Sequence, residues 1–357
     1  MDSEQFNKAH DLGDRLVKAK EKTEKHKRWH MLVKSFGTVY IIIQVAFLLH
    51  LALNNFSKSP EAKTVTAGVS SRNLDFDYLA GNPNSENKIM VIQVNGVISE
   101  DDNGRGENMV DGLTEMLNSA KEDPSVKAVV LEVQSPGGTV NASDLIYHEM
   151  VKFKKSKKPV VAYFNGIAAS GGYYISMTAD KIVASPETWT GSIGVIAQVP
   201  NFSGLLDKVG VKFTTIKSGA HKDMLSPFKP VDEEDNKVMQ ELVDSSYDGF
   251  VEKVVKGRKL DDATVRKLAD GRIYNIKQAV DNKLVDKVGY LKEEAFEEAM
   301  KLAKVKDAKL VRCKKRRNVL QDIFAKLNRN PLSSLESSFA LTKKPGLYFM
   351  PEEYLGK

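Results

Sequence analysis

The chain has 357 residues, enough for one large or two ordinary domains, and its 41% hydrophobic and 28% charged residues are those of a globular protein, not a disordered or fibrous one. The net charge of +6 sits in two clusters, Lys18–Lys34 and Arg312–Arg317, with mixed sign between them; this distribution reads as membrane edges and leaves no nucleic-acid groove. A single cysteine, Cys313, excludes an intramolecular disulfide and a multi-cysteine zinc site, and its place in Arg-Cys-Lys-Lys-Arg-Arg, away from every glycine-rich motif, makes it a bystander in a basic tail.

The first predicted element is Phe36–Leu53, an apolar run without Asp, Glu, Lys or Arg. At roughly 1.5 Å per residue it comes close to spanning a bilayer. Lys18, Lys20, Lys22, Lys25, Lys27, Arg28 and Lys34 precede it, whereas only Lys58, Lys63 and Arg72 follow within a similar distance. The positive-inside bias places residues 1–35 as a basic cytoplasmic arm, 36–55 as a signal anchor in contact with lipid, and the rest outside. That is a single-pass protein of a bacterial inner (plasma) membrane with a periplasmic domain. A cleaved signal peptide is the rival reading, disfavoured by the long basic region and by the lack of a small-x-small site in Leu51-Ala52-Leu53-Asn54-Asn55.

Residues 56–87, polar and carrying Pro60 and Pro83, read as a linker. A domain over 88–328 then alternates short apolar runs with helical stretches. Ile89–Val94 precedes a helix about Asp111–Ala120, and Ala128–Val133 precedes one about Ala142–Lys154. Val160–Phe164 leads through a glycine turn to a helix starting near Ser170; Lys181–Ala184 and Phe213–Ile216 are further predicted strands. Residues 232–256 and 292–304 are predicted solvent-facing helices, and 329–357 form a tail. Strands alternating with helices of this length indicate βαβ units around a largely parallel sheet, an α/β fold. In such sheets chemistry sits at the carboxyl ends of strands, and two glycine-rich motifs fall there.

The first motif, Ser135-Pro136-Gly137-Gly138, follows the strand ending at Val133. Adjacent glycines let backbone N–H groups point into a cleft, which suits an anion site or an oxyanion hole, although a plain tight turn uses them equally well. The second, Ala168-Ala169-Ser170-Gly171-Gly172-Tyr173-Tyr174, sets a serine between small residues at a helix N-terminus, where it is a nucleophile or an N-cap. A serine nucleophile needs a base. His10, His26, His30 and His50 belong to the arm and anchor, His148 lies in an amphipathic helix, and His221 adjoins Lys222; neither of these last two has an obvious orienting carboxylate. A desolvated lysine is the other choice of base.

Taken in order, Ser135-Pro-Gly-Gly138, Ala168-Ala-Ser-Gly-Gly-Tyr-Tyr174, Thr190-Gly-Ser-Ile-Gly-Val195 and Ser218-Gly-Ala-His-Lys-Asp223 resemble the signal peptide peptidase A family of Ser–Lys peptidases. Gly194–Phe202 (GVIAQVPNF) brings the resemblance nearest to its membrane-anchored SohB-type branch, and Gly271-Arg-Ile-Tyr274 and Ala279–Asp286 also fit. The similarity covers about residues 88–325. It implies a ClpP/crotonase-like fold behind an N-terminal transmembrane helix, and a peptidase acting on signal-peptide remnants and other released fragments. It also implies Ser170 as nucleophile, Lys222 as general base, and the backbone N–H groups of Gly137 and Gly171 as oxyanion donors with Gly138 adjacent, and Ser192 hydrogen-bonded to the lysine amine. No metal or other cofactor is implied. Family members often carry Tyr-Lys where this chain has His221-Lys222, which alters the surroundings of the lysine. Partners implied are peptide substrates and further copies in a ring-like homo-oligomer.

Arg316–Leu327 sets Val319, Leu320, Ile323, Phe324 and Leu327 at helical spacing, a face for a neighbouring surface in preference to a membrane. Leu347–Lys357 reads as an extended arm or a disordered end. Three other functions remain in view: a crotonase-type acyl-CoA enzyme, a non-catalytic membrane scaffold, and a phage-type capsid-processing protease.

Overall fold

The computed structural model describes residues 74–101, 108–316 and 347–349. The basic arm, the Phe36–Leu53 anchor and most of the 316–327 amphipathic stretch lie outside the described residues; among those described, no helix is long and apolar enough to cross a membrane. In chain order the elements are β1 (Leu74–Gly81), β2 (Lys88–Asn95), α1 (Met109–Glu122), β3 (Val126–Ser135), β4 (Gly138–Thr139), α2 (Val140–Lys154), β5 (Val160–Ala169), α3 (Gly171–Ser176), β6 (Lys181–Ala184), β7 (Trp189–Gly191) and β8 (Ile196–Ala197). There follow α4 (Ser203–Val209), α5 (Glu233–Arg258), α6 (Asp262–Leu268), β9 (Ile273–Asn275), α7 (Ile276–Asp281), β10 (Lys287–Val288), a π-turn over Leu291–Ala295 running into α8 (Phe296–Ala303), β11 (Lys309–Lys315) and β12 (Leu347–Phe349).

The main sheet has the order β1-β11-β2-β3-β5-β6-β10. From β11 to β10 every pair is parallel, and β1 closes one edge antiparallel to β11. Covering both faces of a parallel sheet demands strands apolar on both sides, and β3 is such a strand. Val129, Leu131 and Val133 join the cluster under α1 and α2, while Ala128 and Val130 pack beneath the π-turn and α8. Each helix exposes the logic of its sequence. Asn108 caps α1 by accepting from the Asp111 N–H at 2.8 Å, and Leu113, Leu117 and Ala120 recur at three- and four-residue spacing on the buried face. Thr139 caps α2 likewise, and Ile146, Met150 and Phe153 turn inward, each side chain worth about 1.5–3 kcal/mol of burial. The 292–304 segment, predicted to face solvent, instead buries Ala295, Phe296 and Ala299 against the sheet.

Other sequence readings also differ from the structure. The predicted linker ends in β1, whose polar residues tolerate an edge position because Lys314 and Arg316 on or beside β11 pair with Asp77 and Asp75. The basic run at 312–316 meets carboxylates within the fold, Arg312 pairing with Glu132 and Lys315 with Glu115. Cys313 is buried in β11, and burial pushes its thiol up to about 12. Finally, Phe213–Ile216 forms no strand. Its apolar residues stand in solvent, Ile216 at 97% exposure.

Candidate active site

β3 and β5 are neighbours, with Ser135 in register with Ala168, so the two glycine motifs emerge side by side at the carboxyl end of the sheet. At Asn165–Gly166 β5 bends, Gly166 taking φ +84, and transfers its pairing from β6 to β7, with Ala169 opposite Gly191. Ser170 follows at once. Its N–H donates to the Gly191 carbonyl at 2.8 Å, and its backbone is forced to φ 52, ψ −118, a conformation L side chains rarely adopt. The residue is 1% exposed, yet its Oγ has no hydrogen-bond partner and makes no cap to α3. The N-cap alternative for this hydroxyl is thereby removed.

The glycines fit because nothing else would. A Cβ on Gly171 would come 2.5 Å from Ser143 Oγ and 3.2 Å from the Gly138 nitrogen, so the two turns lie back to back. A Cβ on Gly138 would meet the Ile98 carbonyl at 1.8 Å, and one on Gly172 the Ser135 carbonyl at 2.9 Å. The Gly137 N–H donates to Ser135 Oγ at 3.1 Å and is spoken for. Gly137 O and Thr139 N engage Ile98, which by strand alternation turns the Gly138 N–H to the opposite edge. Gly171 is the first residue of α3, where no intrahelical acceptor exists for its N–H. Gly138 and Gly171 are thus the glycines of the predicted three whose N–H groups stand beside the serine turn.

Ser192 follows β7, at φ 48, its N–H bound to the Arg272 carbonyl at 2.8 Å, one residue beyond the carbonyl that receives Ser170. His148 is exposed on α2. Lys222 is exposed on an irregular segment, and among the described residues its amine has neither a hydrogen-bond nor an ion-pair partner. The structure therefore brings Ser170, Gly138, Gly171 and Ser192 together, and among the described residues Lys222 makes no hydrogen bond or ion pair with any of them.

The cleft has an occupant, part of the tail that the sequence offered as an extended arm. β12, from the tail, lies antiparallel to both β4 and β8, with Phe349 opposite Gly138, Tyr348 opposite Thr139 and Ile196, and Leu347 opposite Ala197. An extended segment thus fits a two-sided strand slot that begins at one of the glycine turns.

A model of the Clp protease family matches residues 89–189, and with the buried, unpartnered serine at its strand-to-helix turn the fold defines a serine peptidase of the ClpP-like α/β class. The model described as Peptidase family S49 matches residues 152–306. A protein of Enterococcus faecium named "Putative signal peptide peptidase SppA" is 49% identical over 237 residues, covering 64% of this chain and 68% of that protein. Protease 4 of Haemophilus influenzae is 38% identical over 226 residues, 61% of this chain and 36% of its own length. The chloroplastic serine protease SPPA of Arabidopsis thaliana is 34% identical over 180 residues, 50% of this chain and 26% of its own. The chain belongs to peptidase family S49, the signal peptide peptidase A family. The acyl-CoA enzyme and scaffold readings are set aside.

Proposed function

We propose that the chain is a membrane-anchored Ser–Lys endopeptidase that hydrolyses signal-peptide remnants and other short or unfolded peptides on the outer side of the membrane. The observation that carries this reading is the buried Ser170 Oγ, free of any partner and set beside the Gly171 and Gly138 turns at one end of a strand-shaped slot. An extended peptide adds to β4 and β8 through its backbone, so selection favours chains that are unfolded over any particular sequence. Ser170 Oγ attacks the scissile carbonyl, the tetrahedral oxygen is held by the N–H groups of Gly138 and Gly171, and the proton passes to Lys222 and on to the leaving amine. Water then hydrolyses the acyl-enzyme. Ser192, beside the nucleophile, hydrogen-bonds the lysine amine.

Lys222 reaches Ser170 from a second copy. Its segment carries Leu205, Val209, Val211, Phe213, Ile216 and Val231 in solvent, an apolar surface suited to a neighbouring subunit. The test is labelling of the full-length protein in detergent with a fluorophosphonate probe. Wild type should label, while Ser170→Ala and Lys222→Ala should not; labelling that survives Ser170→Ala defeats the assignment.

A further inference from the structure

The segment that carries Lys222 has almost no core. What orders it instead is a continuous run of charge-assisted bonds. Lys217 Nζ donates to the Ala220 carbonyl at 2.6 Å and to Asp223 Oδ1 at 2.7 Å. Asp223 Oδ1 also receives Lys229 Nζ at 2.9 Å, and Lys229 reaches on to Asp235. Asp235 then closes the run back onto the turn, its Oδ1 lying 2.7 Å from His221 Nδ1. Both sequence neighbours of Lys222, His221 and Asp223, belong to this run, whereas Lys222 does not.

The anchor of the run is Asp235. It is 5% exposed, sits in the first turn of α5, and has its own N–H held by the capping carboxylate of Asp232 at 3.1 Å. Through it, a segment with no fully buried side chain before Asp235 is tied to a 26-residue helix. We propose that Asp235 and His221 are positioning residues for catalysis: their pairing holds the 217–223 turn so that Lys222 projects at a set angle toward the serine of the neighbouring copy. This rests on the Ser–Lys reading above.

The pairing has a pH signature. The charged groups facing His221 are Asp235 at Nδ1, Glu234 with an oxygen 3.9 Å from Nε2, and Asp232; Lys229 shares Asp235, and Lys222 and Asp223 flank it in sequence. The hydrogen bond to Asp235, aided by these carboxylates, raises the His221 pKa above its ordinary value. A raised pKa means that the charged pairing is complete below about 6.5 and is lost as pH rises through the higher folded value, leaving a neutral hydrogen bond.

The test compares full-length wild type, His221→Gln, Asp235→Asn and Lys222→Ala in detergent, reading kcat and KM on a fluorogenic peptide from about pH 5 to 9, with the His221 titration followed by NMR. Glutamine keeps a neutral donor to Asp235 but cannot be charged. The expected kcat of His221→Gln is roughly three- to tenfold below wild type at the acid end and converges on it as pH rises through the His221 midpoint, with KM nearly constant. Asp235→Asn should lower kcat at every pH and return His221 toward its ordinary midpoint. A ratio of His221→Gln to wild type that stays flat with pH, or an unshifted His221 midpoint, overturns the proposal. Full activity in Lys222→Ala would instead overturn the Ser–Lys reading beneath it.

Discussion

Replacing Gly171 with alanine separates packing from chemistry at the serine turn. The added Cβ would lie 2.5 Å from Ser143 Oγ, about 1 Å inside ordinary contact, and 3.2–3.3 Å from Gly138 N and Gly137 Cα. Overpacking of this kind costs about 1–3 kcal/mol. Ser143 is fully buried on α2 and its Oγ has no hydrogen-bond partner, so Ser143→Ala alone should be neutral or mildly stabilising. In that background the worst contact is gone, and the Gly171→Ala penalty should shrink by about 1 kcal/mol, a coupling well above the scatter between independent sites. Turnover should behave differently. The Gly137–Gly138 backbone still has to yield by a few tenths of an ångström, so the proposed oxyanion donors remain displaced and kcat stays down by about 10²-fold in both backgrounds. Urea denaturation and peptide turnover on the four proteins of the cycle measure both quantities. Coupling below about 0.3 kcal/mol, or wild-type turnover in Gly171→Ala, would refute the reasoning.

If Lys222 acts across copies, Ser170→Ala and Lys222→Ala proteins, each inactive, should regain about a quarter of wild-type activity when mixed in equal amounts, since that is the chance of an intact serine meeting an intact lysine; no recovery would place both groups in one chain. Truncation before Leu347, or Tyr348→Pro, should raise the initial rate at low substrate by removing a tethered competitor from the β4–β8 slot, and a synthetic peptide of residues 345–351 should inhibit the truncated protein. Cys313, with its thiol pushed up to about 12, should resist alkylation at neutral pH in the native protein and react on unfolding, as mass spectrometry would record.

The parallel core was legible in the sequence because β3 and β5 are apolar on both faces and stop at glycine turns. Helix ends were legible to within a few residues, since Asn108 and Thr139 are local caps. Strands that depend on a remote partner were not. The β1–β11 pair hides in polar and basic sequence because Asp75 and Asp77 meet cations more than two hundred residues away. The reverse error occurred at Phe213–Ile216, whose apolar content was taken for burial in this chain when it lies on the surface. At the site, motif order supplied Ser170 and the glycines. The spent Gly137 N–H and the His221–Asp235 pairing are tertiary facts, visible only once β3 and α5 are in place.

Ser170 also bears on how this enzyme can change over time. A non-glycine residue held at φ 52 and ψ −118 carries about 1–3 kcal/mol of strain, and its buried hydroxyl contributes no compensating bond. Glycine at this position would relieve both penalties, so Ser170→Gly should melt at a higher temperature than the wild type while being chemically dead. The stability of this fold therefore offers no protection to the proposed nucleophile. Only continued selection for hydrolysis keeps the serine in place, and a lineage released from that demand would be expected to lose it early, while retaining the sheet and helices intact.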